Sequence, residues 1–200
     1  MDNYFHTLQS VEVTKNSLHP TLWRTCRVLA NSTRIHLLTS LARKQPQSVS
    51  ELAEQCSLTL PVASQSLRAL EARGLLKVRR IRRRVEYQIP TRAEADSLGE
   101  LVVALHKTLK IEPVPYELLM KLATAFTHPS RITIHRALSS GSKNFMEIQM
   151  QIRLSTPALS RHLHKLINRG FITYDDGNGK FFIRNHHEPV ARALVALALA

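Results

Sequence analysis

Cysteine is scarce in this 200-residue chain: Cys26 and Cys56 stand alone, far short of the disulfide framework that staples small secreted domains. A redox pair is conceivable at these positions, but buried structural thiols are the plainer reading. Long hydrophobic runs are missing too, and none approaches the ~20 residues a helix needs to cross a bilayer. Met1-Asp2-Asn3-Tyr4 opens without the basic-then-apolar pattern of an export signal. The chain therefore reads as soluble and cytoplasmic. No nucleophile–base pair, phosphate-cradling loop or paired-carboxylate motif is present, so no enzyme and no cofactor is expected. Acidic side chains are also few. Against 28 Lys+Arg there are 15 Asp+Glu, for a net charge of +13. Both halves share it: 15 − 9 = +6 over residues 1–100 and 13 − 6 = +7 over 101–200. A polyanion is the natural partner, although an acidic protein or an anionic membrane surface would suit the same charge.

What is present is a repetition. Leu60-Pro61-Val62-Ala63-Ser64-Gln65-Ser66-Leu67-Arg68-Ala69-Leu70-Glu71-Ala72-Arg73-Gly74 returns as Thr156-Pro157-Ala158-Leu159-Ser160-Arg161-His162-Leu163-His164-Lys165-Leu166-Ile167-Asn168-Arg169-Gly170. Pro, Ser, Leu, Leu, Arg and Gly coincide at one offset (157 − 61 = 96). Upstream, Ser32-Thr33-Arg34-Ile35 matches Pro129-Ser130-Arg131-Ile132 with one gap. A repeat of this length means two copies of one domain rather than a solenoid. At 44% hydrophobic residues each copy can bury a modest core.

Local signals order each copy the same way. Thr21–Ala30 carries apolar residues at helical spacing, and Asn31-Ser32-Thr33 offers capping side chains ahead of Ile35–Leu41. Ser48-x-x-Glu51 and Asn144-x-x-Glu147 have the spacing of a capping box. Thr59 and Ser155 are expected to cap the next helix, with Pro61 and Pro157 in its first turn and Gly74 and Gly170 at its end. Strands are expected over Leu75–Arg79 and Val85–Ile89, with Arg80 to Arg83 at the tip, and again over Phe171–Tyr174 and Lys180–Arg184 around Asp175-Asp176-Gly177-Asn178-Gly179. Ala93–Lys110 and Pro189–Ala200 read as helices with no obvious place inside their own domains. They should pack against each other or against a second chain. The fold expected is mainly α with small β-hairpin wings: tandem winged helix-turn-helix domains forming an internal pseudo-dimer. The divisions expected are 1–92, including an N-terminal extension, a linker helix at 93–114, and 115–200.

Asn31-Ser32-Thr33-Arg34-Ile35, Ser50-Glu51-Leu52-Ala53, and Ser160-Arg161-His162-Leu163 followed by Arg169-Gly170-Phe171-Ile172 resemble the arsenical-resistance-type (ArsR) family of repressors. The resemblance spans roughly residues 20–90 and 116–185. It implies a winged helix-turn-helix that dimerises through its first and last helices, a pairing two copies could make within one chain. The family's Cys-x-Cys metal site, placed before a helix expected here to start at Glu51, falls on Ser48-Val49-Ser50 and Asn144-Phe145-Met146. Neither can supply two thiolates. The last-helix metal pattern is missing as well, since Ala93–Lys110 holds only His106. No metal is expected, and His186-His187-Glu188 lacks an identified third ligand.

On a helical wheel Ala63, Leu67 and Leu70 form a core stripe, and Pro61, Val62, Gln65 and Arg68 face outward. The second copy turns Pro157, Ala158, Arg161, His164 and Lys165 outward. Such a helix enters the DNA major groove with its N-terminal part at the bases, where Arg161 suits guanine and Gln65 adenine. Ser64, Thr156 and Ser160 are expected at the same surface. A solvated surface helix would show the same residues, but recurrence on a basic chain favours DNA. The run from Lys77 to Arg84 brings Arg79, Arg80, Arg82, Arg83 and Arg84 to a wing that would follow phosphates or enter the minor groove. A solvated charge run or a nuclear-import signal are the alternatives. The second wing offers Lys180 beside two carboxylates.

Together these features predict a sequence-specific, double-stranded DNA-binding transcriptional regulator, a nucleoid-associated repressor acting by promoter occupancy, with a homodimer through Ala93–Lys110 and Pro189–Ala200 as an option. The rivals are a plasmid replication initiator and a winged-helix protein-interaction scaffold without DNA.

Overall fold

A computed structural model describes residues 21–81 and 84–200. Copy one runs α1 (Leu22–Leu29), α2 (Ser32–Arg43), β1 (Gln47–Ser48), α3 (Val49–Gln55), α4 (Leu60–Glu71), β2 (Lys77–Ile81), β3 (Arg84–Gln88) and α5 (Gly99–Thr108). Copy two repeats that order as α6 (Tyr116–Ala123), α7 (Pro129–Ser139), β4 (Lys143–Asn144), α8 (Phe145–Ile152), α9 (Thr156–Arg169), β5 (Ile172–Asp175), β6 (Lys180–Ile183) and α10 (Pro189–Leu199). The two antiparallel sheets have matching strand orders, β1-β3-β2 and β4-β6-β5. This is the winged helix-turn-helix architecture, present twice.

The repeated polar residues act as structural punctuation. The Asn31 side chain accepts the Arg34 amide at 3.0 Å. Ser48 and Glu51 form a capping box, as do Asn144 and Glu147, each worth about 1 kcal/mol to its helix. The arginines of the matched upstream motif turn back to preceding carbonyls. Arg34 donates to Val28 O, and Arg131 to Ala125 O and Thr124 O. Each thus occupies acceptors that a helix end leaves unpaired. Gly170 closes α9 at φ +82°, a conformation that excludes most side chains.

Several boundaries differ from the sequence expectation. Helix α3 starts at Val49 rather than Glu51, because Ser48 is its cap. Thr59 and Ser155 occupy the cap positions of α4 and α9, but neither side chain makes a capping bond. The first hairpin lies further along than expected. Val78 pairs with Tyr87, Arg80 with Val85 and Ile81 with Arg84, so Arg80 sits in the ladder and not at the tip. The buried Tyr87 ring fixes that register from the base. The helix expected at Ala93–Lys110 begins only with a 3-10 turn at Asp96–Leu98. Before it, Glu94 accepts the Thr91 amide and hydroxyl. The Arg92 backbone then folds so close to Gly99 that a β-carbon there would meet its carbonyl at 2.6 Å.

The core is continuous through both copies. Helix α5 packs against α10, and α1 against α6 and the turn that follows it. Equivalent elements thus meet each other, which makes the arrangement an internal pseudo-dimer. The two helices with no place evident from the sequence pack on each other, and α10 also packs on α7 of its own copy. Around Phe126 and Phe171, ring centroids 4.7 Å apart, His135 is fully buried, with no hydrogen-bond partner for either ring nitrogen among the described residues. Burial pushes its imidazole down to about 4, with the nearby His186 adding to the effect. Cys26 is also fully buried, and desolvation raises its thiol to about 12. Cys56 is half-buried, and both cysteines are free thiols.

Candidate nucleic-acid interface

Each recognition helix is held by its buried stripe: Ala63, Ser66, Leu67 and Leu70 in α4, and Leu159, His162, Leu163 and Leu166 in α9. What remains is turned to solvent. In α4 these are Pro61, Val62, Gln65 and Arg68, all exposed, with Ser64 half-buried. Arg68 folds back on that serine, Nη2 donating to Ser64 Oγ at 2.8 Å, so both are partly occupied. In α9 Thr156, Pro157, Arg161, His164 and Lys165 are exposed, whereas Ala158 and Ser160 are half-buried. The Thr156 hydroxyl accepts from Gln149 Nε2 at 3.0 Å, tying α8 to the start of α9. His164 Nδ1 lies 2.9 Å from the Ser160 carbonyl. A carbonyl only accepts, so Nδ1 is the donor in this contact. Among the described residues Gln65, Arg161 and Lys165 have no ion-pair or hydrogen-bond partner.

The first wing divides its cations into two groups. Lys77 pairs with Glu94. Arg84, expected at the phosphates, reaches Glu51 at 2.9 Å and Glu86 at 3.0 Å. Glu51 is already held by the Ser48 hydroxyl and amide, and these, followed by Arg84, bring its carboxyl down to about 2. Arg84 therefore ties the wing to the first turn of α3. Arg79 and Arg80 are exposed and carry no counter-ion among the described residues. Arg82 and Arg83 lie outside the described residues.

The second wing is built differently. Lys180, half-buried, stands opposite Asp175 in the ladder. Asp175 and Asn178 side chains accept the Gly177 and Lys180 amides, each at 3.0 Å, and close the turn. Outside the wing, α8 exposes Met146 and Met150, where α3 has Ser50 and Glu54.

Two features escaped the sequence. His162, inside the Ser160–Leu163 motif, is buried and stacks on His128 with ring centroids 4.5 Å apart. Burial first, then His128 and neighbouring arginines, lowers its imidazole to about 4. Its spacing from Leu159 and Leu166 was the available signal, since it falls on the core stripe. Positive charge also continues between the two copies. Arg131, Arg161 and Arg27 of α1 all depress His128, after burial, and Arg24 and Arg27 flank the Trp23 ring at 4.9 and 5.6 Å. No periodicity in the sequence links α1 to the start of α7.

His186 stacks on Phe171, and its Nδ1 is 3.9 Å from Glu188. Among the described residues no three His, Cys, Asp or Glu side chains come together as a metal site, and no helix is long and apolar enough to cross a membrane.

Two stretches of the chain match family models. Residues 29–79, from the end of α1 into β2, match a family model described as a helix-turn-helix domain. Residues 128–174, the equivalent stretch of copy two, match the model for bacterial regulatory proteins of the arsR family. No curated protein and no solved structure matches the chain. Both matched models are helix-turn-helix domains, which point to DNA-binding transcriptional regulation. The chain thus carries two helix-turn-helix domains in tandem, the second of the ArsR type.

Proposed function

We propose that the chain is a sequence-specific regulator that binds double-stranded DNA with both reading heads of one molecule and represses by occupying promoter DNA. The observation that carries this reading is the seam of α5 on α10, together with α1 on α6, which joins α4 and α9 as an internal pair. In this reading Arg161 forks onto a guanine edge and Gln65 onto adenine. Pro61, Val62, Pro157, Thr156, Ser160, His164 and Lys165 lie along the groove walls, with Ser64 and Arg68 as a pair beside them. Arg79, Arg80, Arg82 and Arg83 run along phosphates, Arg84 holds the wing's angle, and Lys180 adds one weak contact. The domains are drawn at 1–92 and 115–200 with 93–114 between them. The protein acts in the cytoplasm at the nucleoid, without a cofactor and without catalysis.

The test is in vitro selection of DNA by the full chain. Because the two outward faces differ, the selected site should contain two unlike half-sites about one helical turn, ~10 bp, apart. A perfect palindrome would overturn the single-chain arrangement in favour of a homodimer through Ala93–Lys110 and Pro189–Ala200. Recovery of no preferred sequence would remove the regulator reading and leave the protein-interaction scaffold. Exposed Met146 and Met150 beside an acidic wing are the features that would serve it.

A further inference from the structure

An open groove of about 770 Å³ runs along the seam, between α5 of copy one and the end of β6 and α10 of copy two. That volume falls within the roughly 300–1,000 Å³ of small-molecule sites. Small apolar side chains form its walls: Val103 and Ala104 from α5, Val195 and Ala196 from α10. Three cations from three different elements ring it, Lys107, Arg184 and Arg192. All three are exposed and without a hydrogen-bond or ion-pair partner among the described residues. The carboxylate in the lining, Glu100, is engaged by Arg92. The groove thus combines apolar walls with positive charge that no carboxylate of its lining offsets.

Copy one differs at the equivalent position. The strand registers align Ile183 with Ile89 and Arg184 with Pro90. Ile89 and Pro90 are both buried, and the Ile89 amide donates to Gln45 Oε1 at 2.7 Å. A buried proline in copy one thus stands at the position equivalent to an exposed arginine in the lining of the groove.

We propose that this groove binds a small amphipathic organic anion, a carboxylate or sulfonate carrying an aromatic or short aliphatic body. The cations take the anionic head and the Val and Ala walls take the body. The site does not depend on DNA binding, so its test uses the full chain alone. The probe is 8-anilinonaphthalene-1-sulfonate, whose fluorescence rises on leaving water. It should saturate one site per chain and be displaced by octanoate but not by octan-1-ol. Lys107→Glu with Arg192→Glu should weaken it by about tenfold or more. Ala196→Trp, at an exposed position, should block it while leaving thermal unfolding unchanged. Arg79→Glu with Arg80→Glu removes the same charge from the distant wing and should leave affinity unaltered. Equal weakening by the wing and groove pairs would reduce the effect to net charge and overturn the proposal. So would an unaltered affinity in the groove variants, or displacement by octan-1-ol as effective as by octanoate.

Discussion

The wing from Lys77 to Gln88 and the wing from Ile172 to Ile183 hang from sheets of the same strand order, yet they present opposite chemistry. The first has Arg79 and Arg80 exposed without counter-ions among the described residues. The second closes on Asp175 and Asn178, with its lysine beside a carboxylate. Along the recognition helices the balance reverses: α4 offers Gln65 and a self-engaged Arg68, and α9 offers Arg161, His164 and Lys165. Buried positions tell another story, since Leu67 and Leu70 match Leu163 and Leu166, and both capping boxes persist. Packing constrains what faces inward to similar volumes and patterns. Outward faces carry no such constraint, so the two copies are free to differ there. Under the proposed function, one copy would grip the backbone and the other would read.

The sharpest way to break this division is at the first wing. Replacing Arg79, Arg80, Arg82 and Arg83 by Ala should weaken binding to all DNA sequences alike, on the order of 4 kcal/mol at roughly 1 kcal/mol per contact. Each lost phosphate contact should also reduce the slope of log K against log salt by about 0.9. Lys180→Ala should barely register. A four-fold variant with the parent's salt slope would show that this wing does not touch phosphate.

Acid should separate the copies next. His135 and His162, both buried in copy two, are held near 4 against an ordinary 6.5. Depressed imidazoles stabilise the fold fully above about pH 6.5, and that stability is lost as pH falls toward 4. The loss is on the order of 3 kcal/mol for His135 at the acid limit and smaller for His162. Hydrogen exchange should therefore show copy two opening before copy one over this window. His135→Phe, which removes two unpartnered ring nitrogens, should shift the midpoint of acid opening downward. An unchanged midpoint would rule out His135 as its origin.

A smaller effect is expected at Arg161. Arg161→Ala should cost about 1–3 kcal/mol on the selected site and relax selectivity at one base pair. Affinities for specific and random DNA, measured at one salt concentration, distinguish base reading from phosphate grip; an equal fall on both would strike Arg161 from the base readers.

Arg84→Ala should have the least effect. Its pair with Glu51 is exposed and worth about 0–1 kcal/mol, whereas its second partner, Glu86, is buried. The expected result is a slight loss of DNA affinity at an unaltered salt slope, because the wing loses its tether but no phosphate contact. A slope change like that of Arg79→Ala would return Arg84 to the phosphate contacts.

Much of the architecture could be read from local chemistry. Ser48–Glu51, Asn144–Glu147, Gly170 and the Leu67/Leu163 stripe depend on neighbours within a few residues, and sequence spacing carries that information. The pairing of Arg84 with Glu51 is not legible in the sequence, because the two are distant along the chain and only the folded sheet brings the wing to α3. The inward placement of His162 follows from its spacing, but its stacking on His128 joins residues far apart in the chain. The proximity of Arg27 to His128, and the groove between α5 and α10, arise from docking one copy on the other. No pattern within either copy encodes that geometry.

Under the proposed function, carrying both heads on one chain, docked through the seam of α5 on α10, has a consequence for dose. A dimer assembled from separate chains forms in proportion to the square of chain concentration at low abundance, so its occupancy of a site collapses steeply on dilution. Two heads on one polypeptide meet at an effective concentration fixed by the fold. Occupancy of a promoter then follows the first power of the number of chains. A cell holding few copies of this protein, or halving them at division, would see a proportionate change in regulation instead of an abrupt one.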